Sequence, residues 1–394
     1  MMNKMYSEKS DQIVEILNEL DVDLWMVWVR ETSQMADPVL ELILGGDLVW
    51  QSALLFSRDG SKIAVVGNLD ADGVEKRRIF DKIVPYTKSI KQSFLEELQK
   101  LEPKKIAINY SRNDVSADGL TVGMHMLLRE YLSGTPYIRR LDSAEEIIKR
   151  LRGRKTSEEV RRIRKAVSIT EDIFSQAQNF VEIGMSELEI YKFFHEQMTR
   201  LNVETAWNID HNPAVDAGPN KLFGHSGPTG NLTKSGHLLH FDFGVKYDGY
   251  CSDIQRMFFF GPRDSVPDEI QQAFEAVRGA IEQAASFIKP GVKGYEVDAV
   301  ARNYVMDLGY DEYQHALGHQ VGRFAHDGGT LLGPLWERYG NSPNGIVEAG
   351  NVFTLELYVT TKDFGQVSLE EDILVTSDGC EFLSTPQTDL ICIS

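Results

Sequence analysis

Cysteine and long apolar runs are both scarce in this sequence. Three of the 394 residues are cysteine, and their positions show neither metal-ligand nor disulfide spacing. No apolar run reaches the roughly 18 residues of a membrane span, and residues 1–10 are too polar for a signal peptide. We therefore expect a reduced, cytoplasmic protein that does not contact a membrane.

A basic excess is also lacking, since 41 Lys and Arg face 59 Asp and Glu, for a net charge of −18. Nucleic-acid binding requires a basic face, so we expect no nucleic-acid partner. The length is sufficient for two domains, each with its own apolar core.

Apolar segments alternate with amphipathic ones over residues 1–155. Residues 23–30 (DLWMVWVR), 62–68 (KIAVVGN) and 105–110 (KIAINY) predict strands, and residues 118–132 predict a helix. Alternation of this kind predicts an α/β domain with a central sheet.

Residues 156–394 begin with helices and continue as helices and hairpins in turn. Capping-box patterns at Thr156 and Ser186, each with Glu three residues later, predict two helix starts. Residues 266–288 and 294–308 predict two more helices. The order helix, helix, hairpin occurs twice and suggests a degenerate duplication. The basic run over residues 139–165 is interpreted as a solvated helix face at the domain junction.

The first hairpin places two carboxylates together. Asp248-Gly249 is a strong two-residue turn signal, and a hairpin closed there pairs Asp242 with Gln255. Asp253 then lies on the same face as Asp242. Asp242 lies within an apolar run, where an ionised carboxylate needs a partner. A shared cation and a salt bridge to a nearby arginine, Arg256, are both open interpretations.

The second hairpin contains an acidic residue inside another apolar strand, Glu356. A loop centred on Asp363 pairs Glu356 with Glu370, whereas an even-length loop would bring Glu371 to that face. The alternative is that two of the three residues Glu370, Glu371 and Asp372 belong to a solvated acidic cluster.

Histidines are concentrated in the segment HALGHQVGRFAHD, which contains His315, His319 and His326 among glycines. Glycine lets a backbone approach a ligand closely, so this trio is a candidate functional cluster. His225, in FGHSGPTG, has no supporting pattern of its own.

Charge balance favours a metal pair over a network of basic side chains. Two like charges about 4 Å apart cost roughly 4 kcal/mol at an effective dielectric near 20. Two divalent cations would balance the four carboxylates of Asp242, Asp253, Glu356 and Glu370. Oxygen ligands with one imidazole suit Mn, Co or Zn.

These residues, in this order, resemble the pita-bread metallopeptidase family of methionine aminopeptidase, prolidase, aminopeptidase P and creatinase. Asp242 in DFG and Asp253 in SDIQR match its two aspartates, and His319 in GHQVG matches its histidine. Glu356 in FTLEL and Glu370 in LEEDILVT match its two glutamates.

The resemblance covers roughly residues 150–394 and implies an α+β pita-bread domain, an antiparallel sheet covered by helices with a pseudo-two-fold axis. It implies two divalent metal ions, most often Mn, held by those five residues, with Glu356 also acting as the general base. It assigns substrate binding and stabilisation of the tetrahedral intermediate to His225, His315 and His326. The implied substrate is a small peptide with an Xaa-Pro bond, and the implied assembly is a homodimer.

Three positions depart from the prolidase and aminopeptidase P pattern, and we expect them to line the substrate side of the pocket. Leu357 follows Glu356 where Pro-Gly is usual, Ser368 replaces an arginine, and Gln320 replaces a glycine. A creatinase-like hydrolase of a small non-peptide C–N substrate is therefore an alternative. A binding scaffold without catalysis is a further one, although scaffolds of this fold have typically lost metal ligands.

Overall fold

The computed structural model describes residues 2–219 and 227–393. Contacts within the chain divide it into two compact units, Met1–Arg152 and Gly153–Ser394, close to the junction near residue 155 that the sequence predicts. None of the helices in the described part of the chain has the length and apolar character needed to cross a bilayer.

The helices and strands are numbered in chain order. The helices are α1 (Met2–Glu19), α2 (Leu40–Ile43), α3 (Asn68–Glu75), α4 (Lys91–Leu101), α5 (Val122–Tyr131), α6 (Glu145–Gly153), α7 (Ser157–Phe180), α8 (Glu187–Leu201), α9 (Asp268–Phe287) and α10 (Gly294–Asp307). The strands are β1 (Leu24–Val29), β2 (Ser52–Ser57), β3 (Lys62–Gly67), β4 (Lys82–Tyr86), β5 (Ile106–Ile108), β6 (Leu141–Ser143), β7 (Glu204–Thr205), β8 (Ala214–Ala217), β9 (Leu238–Phe243), β10 (Val245–Tyr247), β11 (Tyr250–Cys251), β12 (Ile254–Phe260), β13 (Val352–Thr360), β14 (Gln366–Val375), β15 (Cys380–Phe382) and β16 (Ile391–Ile393).

The N-terminal unit contains a six-stranded mixed sheet in the order β4-β3-β2-β1-β5-β6. β1 is buried along its whole length because its two faces belong to different apolar cores. Trp25 and Val27 pack into one core, and Met26 and Trp28 pack into the other. A near-continuous apolar run is what a strand covered on both faces requires, and the predicted α/β domain is confirmed.

The C-terminal unit contains a largely antiparallel sheet. Its strands follow the order β13-β14-β12-β9-β8, with β15 beside β14 and β16 beside β12. α9 covers one face, where Phe274 and Val277 share an apolar core with Leu355 and Leu369. The predicted order of two helices and a hairpin recurs as α7, α8 and β9–β12, then α9, α10 and β13–β14.

Both hairpins have the register that the sequence predicts. Residues 248–249 form the turn with φ of 47° and 78°, the left-handed conformation that a tight hairpin requires. Asp242 pairs with Gln255 across β9 and β12, and Glu356 pairs with Glu370 across β13 and β14. The capping boxes that start α7 and α8 are also confirmed.

The basic run at the junction is only partly the solvated face that its composition suggested, since Arg161, Arg164 and Lys165 are exposed whereas other basic residues are buried. Lys155 is buried and its Nζ lies 2.9 Å from Asp327 Oδ2. Arg162 is buried as well and donates to Glu158 at 3.0 Å. Each cation is buried because a carboxylate partner is buried with it, a pairing that composition alone does not reveal.

Candidate metal centre

Four neighbouring strands line up a row of polar side chains across the C-terminal sheet. Glu356 pairs with Glu370, Glu370 with Gln255, and Gln255 with Asp242. Residues directly opposite each other on paired strands point to the same face. Three carboxylates and one amide therefore project together from the middle of an apolar sheet.

Asp253 joins this row from the link between β11 and β12. Its backbone N–H donates to Asp372 Oδ2 at 3.1 Å, which fixes the link against β14. The carboxyl groups of Asp253 and Asp242 lie close enough to share a hydrogen bond. The prediction that these two aspartates meet is confirmed.

His319 reaches the cluster from a loop that is bonded to the edge of β13. Its backbone N–H donates to Thr354 Oγ1 at 3.2 Å, and the N–H of Thr354 donates back to the carbonyl of His319 at 3.0 Å. A Cβ on Gly318 would come within 1.9 Å of the Thr354 carbonyl oxygen. Glycine before the histidine is therefore required for the loop to approach the strand.

The side-chain distances suit a shared cation. His319 Nε2 lies 3.8 Å from Asp253 Oδ2, 3.5 Å from Glu356 Oε1 and 4.0 Å from Glu370 Oε1. The ligand atoms of Asp253, His319 and Glu370 all lie within 4.8 Å of one another. Ligand atoms about 2.0–2.2 Å from one ion lie roughly 3–4 Å apart. Small movements of these side chains towards one another would therefore allow all of them to bind the same ion.

The electrostatics also fit divalent metal. Burial, and then repulsion from Asp242, raises the pKa of Glu356 to about 8. Burial and neighbouring carboxylates likewise raise the pKa of Asp253 and Glu370 well above the ordinary range. Among the described residues no lysine or arginine forms an ion pair with these three, and Glu370 Oε2 is buried without a hydrogen-bond partner. Burial lowers the pKa of His319, which favours the neutral ring that binds metals.

The salt-bridge alternative fails because Arg256 points the other way. Arg256 and Gln255 are consecutive in β12, so their side chains project from opposite faces. The guanidinium binds both oxygens of Glu371 at 3.0 Å. The solvated acidic cluster was also wrong, since Glu370, Glu371 and Asp372 are each no more than 1% exposed.

Two of the three predicted substrate-binding histidines lie beside the cluster. The ring of His326 is exposed, with its centroid 4.0 Å from that of His319. His315 is half-buried and its Nδ1–H donates to the Ala316 carbonyl at 2.7 Å. Burial lowers the pKa of His315 to about 4, so the ring is neutral at pH 7 and its Nε2 is an acceptor. His225 lies outside the described residues.

Arg302 holds the backbone that presents His315. Its guanidinium donates to the carbonyls of Tyr313 and His315 at 2.6 and 2.7 Å. Asp298 binds the same guanidinium at 2.7 Å and accepts from the N–H of Leu317 at 3.1 Å. This buried pair ties α10 to the histidine loop.

Sequence reasoning missed the polar neighbours of the cluster. His240, Thr354 and Asp372 are buried against it, and none was assigned a role. Each lies two residues from a predicted ligand, at Asp242, Glu356 and Glu370 respectively. Alternate residues of a strand share a face, and that spacing was the available signal.

The three departures do not all line a pocket. Leu357 follows Glu356 in β13, so it faces the apolar core under α9, and the expected pocket position is wrong for it. Ser368 lies on the ligand face and donates to Gln255 Oε1 at 2.6 Å. Gln320 is buried, and its backbone bridges to Phe353.

The sequence matches both a family model and individual known proteins. The sequence model of metallopeptidase family M24 matches residues 161–377. An uncharacterized peptidase from Staphylococcus aureus is 27% identical over 84% of this chain and 87% of its own length.

Solved structures share the fold. An Xaa-Pro dipeptidase from Bacillus anthracis is 22% identical, with a TM-score of 0.73 over 98% of this chain and 100% of that one. An X-Pro aminopeptidase from Thermotoga maritima is also 22% identical, with a TM-score of 0.72 over 98% and 99%. The predicted pita-bread fold is confirmed.

Proposed function

We propose that this chain, which belongs to metallopeptidase family M24, uses two divalent metal ions to hydrolyse Xaa-Pro bonds in small peptides. The observation that carries the proposal is the row of buried carboxylates with His319 beside it and no basic side chain to neutralise Asp253, Glu356 or Glu370 among the described residues.

Five residues would hold the ions: Asp242, Asp253, His319, Glu356 and Glu370. Their four carboxylates and one neutral imidazole suit Mn, Co or Zn, and Mn is the metal that we propose from the resemblance to the pita-bread family. When bound, such ions polarise a carbonyl and lower the pKa of a water towards about 7.

Glu356 is the residue that would accept a proton from the attacking water. It lies at the β13 end of the row, with Oε1 3.5 Å from His319 Nε2. A positioned general base of this kind is worth typically 10²–10⁴-fold in rate.

The histidines divide the remaining work. With its proton on Nδ1, His315 offers Nε2 as an acceptor, which suits an N–H of the substrate. Donation to the developing oxyanion then belongs to His326, which is exposed beside His319. This refines the expectation that His315 and His326 both bind substrate and stabilise the tetrahedral intermediate, and the role of His225 stays a prediction.

Xaa-Pro specificity is supported by the names of the two structural neighbours, an X-Pro aminopeptidase and an Xaa-Pro dipeptidase. One observation favours a creatinase-like hydrolase of a small C–N substrate instead. Ser368, where an arginine is usual, donates to Gln255 and presents no positive charge to a substrate. The retained ligand set disfavours a scaffold without catalysis. The homodimer and the cytoplasmic location remain predictions.

The test is hydrolysis of Xaa-Pro dipeptides and Xaa-Pro-Yaa tripeptides by the Mn-reconstituted chain, with chelator-treated protein as the control. We expect cleavage that the chelator abolishes and Mn²⁺ restores. Cleavage that survives the chelator would contradict the metal mechanism. If the protein binds Mn²⁺ tightly but cleaves none of these peptides, a hydrolase of a small C–N substrate becomes the better assignment.

A further inference from the structure

A buried row of polar groups leads across one face of the sheet, from β8 at one edge to Glu356 in β13. His240 Nδ1 lies 3.0 Å from Asp216 Oδ2, and His240 Nε2 lies 3.0 Å from Gln255 Oε1. The Gln255 amide then donates from Nε2 to Glu356 Oε2 at 3.2 Å. Ser368 Oγ–H donates to Gln255 Oε1 at 2.6 Å.

The partners on its two sides fix which way the Gln255 amide points. An ionised Glu356 carboxylate can only accept hydrogen bonds, so the amide must turn its NH₂ group towards it. The amide oxygen then faces the Ser368 hydroxyl, which can donate. A flipped amide would place its oxygen against Glu356 Oε2, where two acceptors repel each other.

This arrangement gives the two oxygens of Glu356 different tasks. Oε2 is held by Gln255, while Oε1 points to the ligand cluster, 3.5 Å from His319 Nε2. Without the amide, the Glu356 side chain could rotate between several staggered conformers. Neither oxygen would then be fixed in its direction towards the ligand cluster.

The position of Gln255 makes it the neutral member of the row. It is 6% exposed and pairs with Glu370 on one side and Asp242 on the other. A carboxylate there would add a further negative charge to the cluster, and an apolar side chain would leave Glu356 Oε2 without its donor.

We propose that Gln255 is a positioning residue, held by Ser368, that fixes the Glu356 carboxylate for metal binding and proton transfer. The inference rests on the proposed function, since it takes Glu356 as a ligand and base. Residues that orient ligands in this way typically change metal affinity or activity about 10-fold to 100-fold when replaced.

The experiment measures Mn²⁺ affinity by calorimetry on metal-free protein, together with the absorption spectrum of the Co²⁺-loaded protein. We expect Gln255→Leu to weaken Mn²⁺ binding by about 10-fold to 100-fold and to alter the Co²⁺ spectrum. With a cleaved Xaa-Pro peptide, kcat falls and KM changes little. Ser368→Ala, which removes one contact to the amide, shifts the same readouts in the same direction by less.

Gln387→Leu is the matched control. Gln387 is another buried glutamine of the C-terminal unit, and its side chain bonds the backbone of Met257 and Asp389. This variant should lower Tm while leaving Mn²⁺ affinity and the Co²⁺ spectrum unchanged. An equal loss of affinity in Gln387→Leu would overturn the positioning role.

The outcomes separate the inference from the proposed function. Unchanged affinity and spectrum in folded Gln255→Leu, with normal Mn²⁺ binding by the wild type, would overturn the inference alone. If Gln255→Leu does not fold, Ser368→Ala decides, and unchanged readouts there overturn it. A wild-type chain that binds no Mn²⁺ would overturn the proposed function and the inference with it.

Discussion

Two adjacent glutamates of β14 project from opposite faces of the strand and have opposite kinds of partner. Glu371 and Glu370 are adjacent in the chain and equally buried, each 1% exposed. Glu371 meets the guanidinium of Arg256 at 3.0 Å through both oxygens and accepts from Ser384 at 2.6 Å. Glu370 meets other carboxylates and one imidazole, and its Oε2 has no hydrogen-bond partner among the residues that the structure describes.

The difference separates a structural acid from a proposed metal ligand. A carboxylate with a bidentate arginine has its charge compensated within the chain. A carboxylate among like charges requires a cation from outside, and divalent metal is the cation that the family uses. Burial alone does not distinguish the two glutamates, whereas the identity of their partners does.

Replacing Glu370 by Gln gives the largest expected effect. Loss of a direct ligand should reduce Mn-dependent hydrolysis by more than the 10-fold to 100-fold typical of residues around the ligands. The metal-free variant should have a higher Tm than the wild type, because a buried carboxyl among like groups must either take up a proton or be repelled, and the amide does neither. Kinetic assays and thermal melts on the same protein measure both. Full activity of Glu370→Gln would remove the distinction between the two faces.

Replacing Glu371 by Gln should give the opposite pattern. The change leaves Arg256 buried without its carboxylate, and breaking a buried pair costs about 3–5 kcal/mol. Urea unfolding of metal-free protein measures this loss, while Mn²⁺ affinity of the folded variant should change little. The double variant Arg256→Met with Glu371→Leu should recover much of the stability. Metal loss in Glu371→Gln equal to that in Glu370→Gln would contradict the comparison.

Added Mn²⁺ should stabilise the two glutamate variants by different amounts, and this effect is the next in size. Mn²⁺ at 100 times its dissociation constant should stabilise the folded wild type by about 2.7 kcal/mol for each bound ion through mass action. Glu371→Gln should gain a similar increment from its lower starting stability, and Glu370→Gln should lose the increment of at least one ion. Thermal melts at increasing Mn²⁺ measure the increments, and Mg²⁺ at the same ionic strength controls for salt.

The smallest expected effect is on the pH dependence of metal-free protein. The folded pKa of Glu356 is about 8, above its ordinary 4.5, so the folded state retains a proton that the unfolded state releases. Stability should therefore fall as pH rises towards 8. Below pH 6.5 the lowered pKa of His319 has the opposite effect, because the unfolded state binds a proton that the folded state does not. The fall in stability should therefore be clearest between pH 6.5 and about 8. A rise in Tm over that window would contradict the assignment, and Glu356→Gln should flatten the fall.

Local signals in the sequence were sufficient for the register of both hairpins and for most of the side chains that meet in the cluster. The turn at residues 248–249 sets the register of β9 against β12, and period-two spacing then places Asp242 opposite Gln255. The interruption of an apolar strand by Glu356 is likewise local. A carboxylate that breaks an otherwise apolar strand is costly to bury, which is why it marks a site.

The remaining features depend on partners far away in the chain. His240 meets Asp216 only because β8 pairs with β9, and Arg256 meets Glu371 only because β12 pairs with β14. No local pattern encodes such pairs. The edge strands β4 and β6 were missed in the N-terminal sheet because their residues are largely half-buried or exposed and lack a long apolar run.

Counting the ions bound by each chain tests the central claim most directly. Metal-free wild type, Glu370→Gln and Glu371→Gln would be dialysed against Mn²⁺ and analysed by inductively coupled plasma mass spectrometry. Our account predicts two ions per chain for the wild type and Glu371→Gln, with at least one lost in Glu370→Gln. A wild type without bound metal, or a Glu370→Gln variant that retains the full complement, would contradict it.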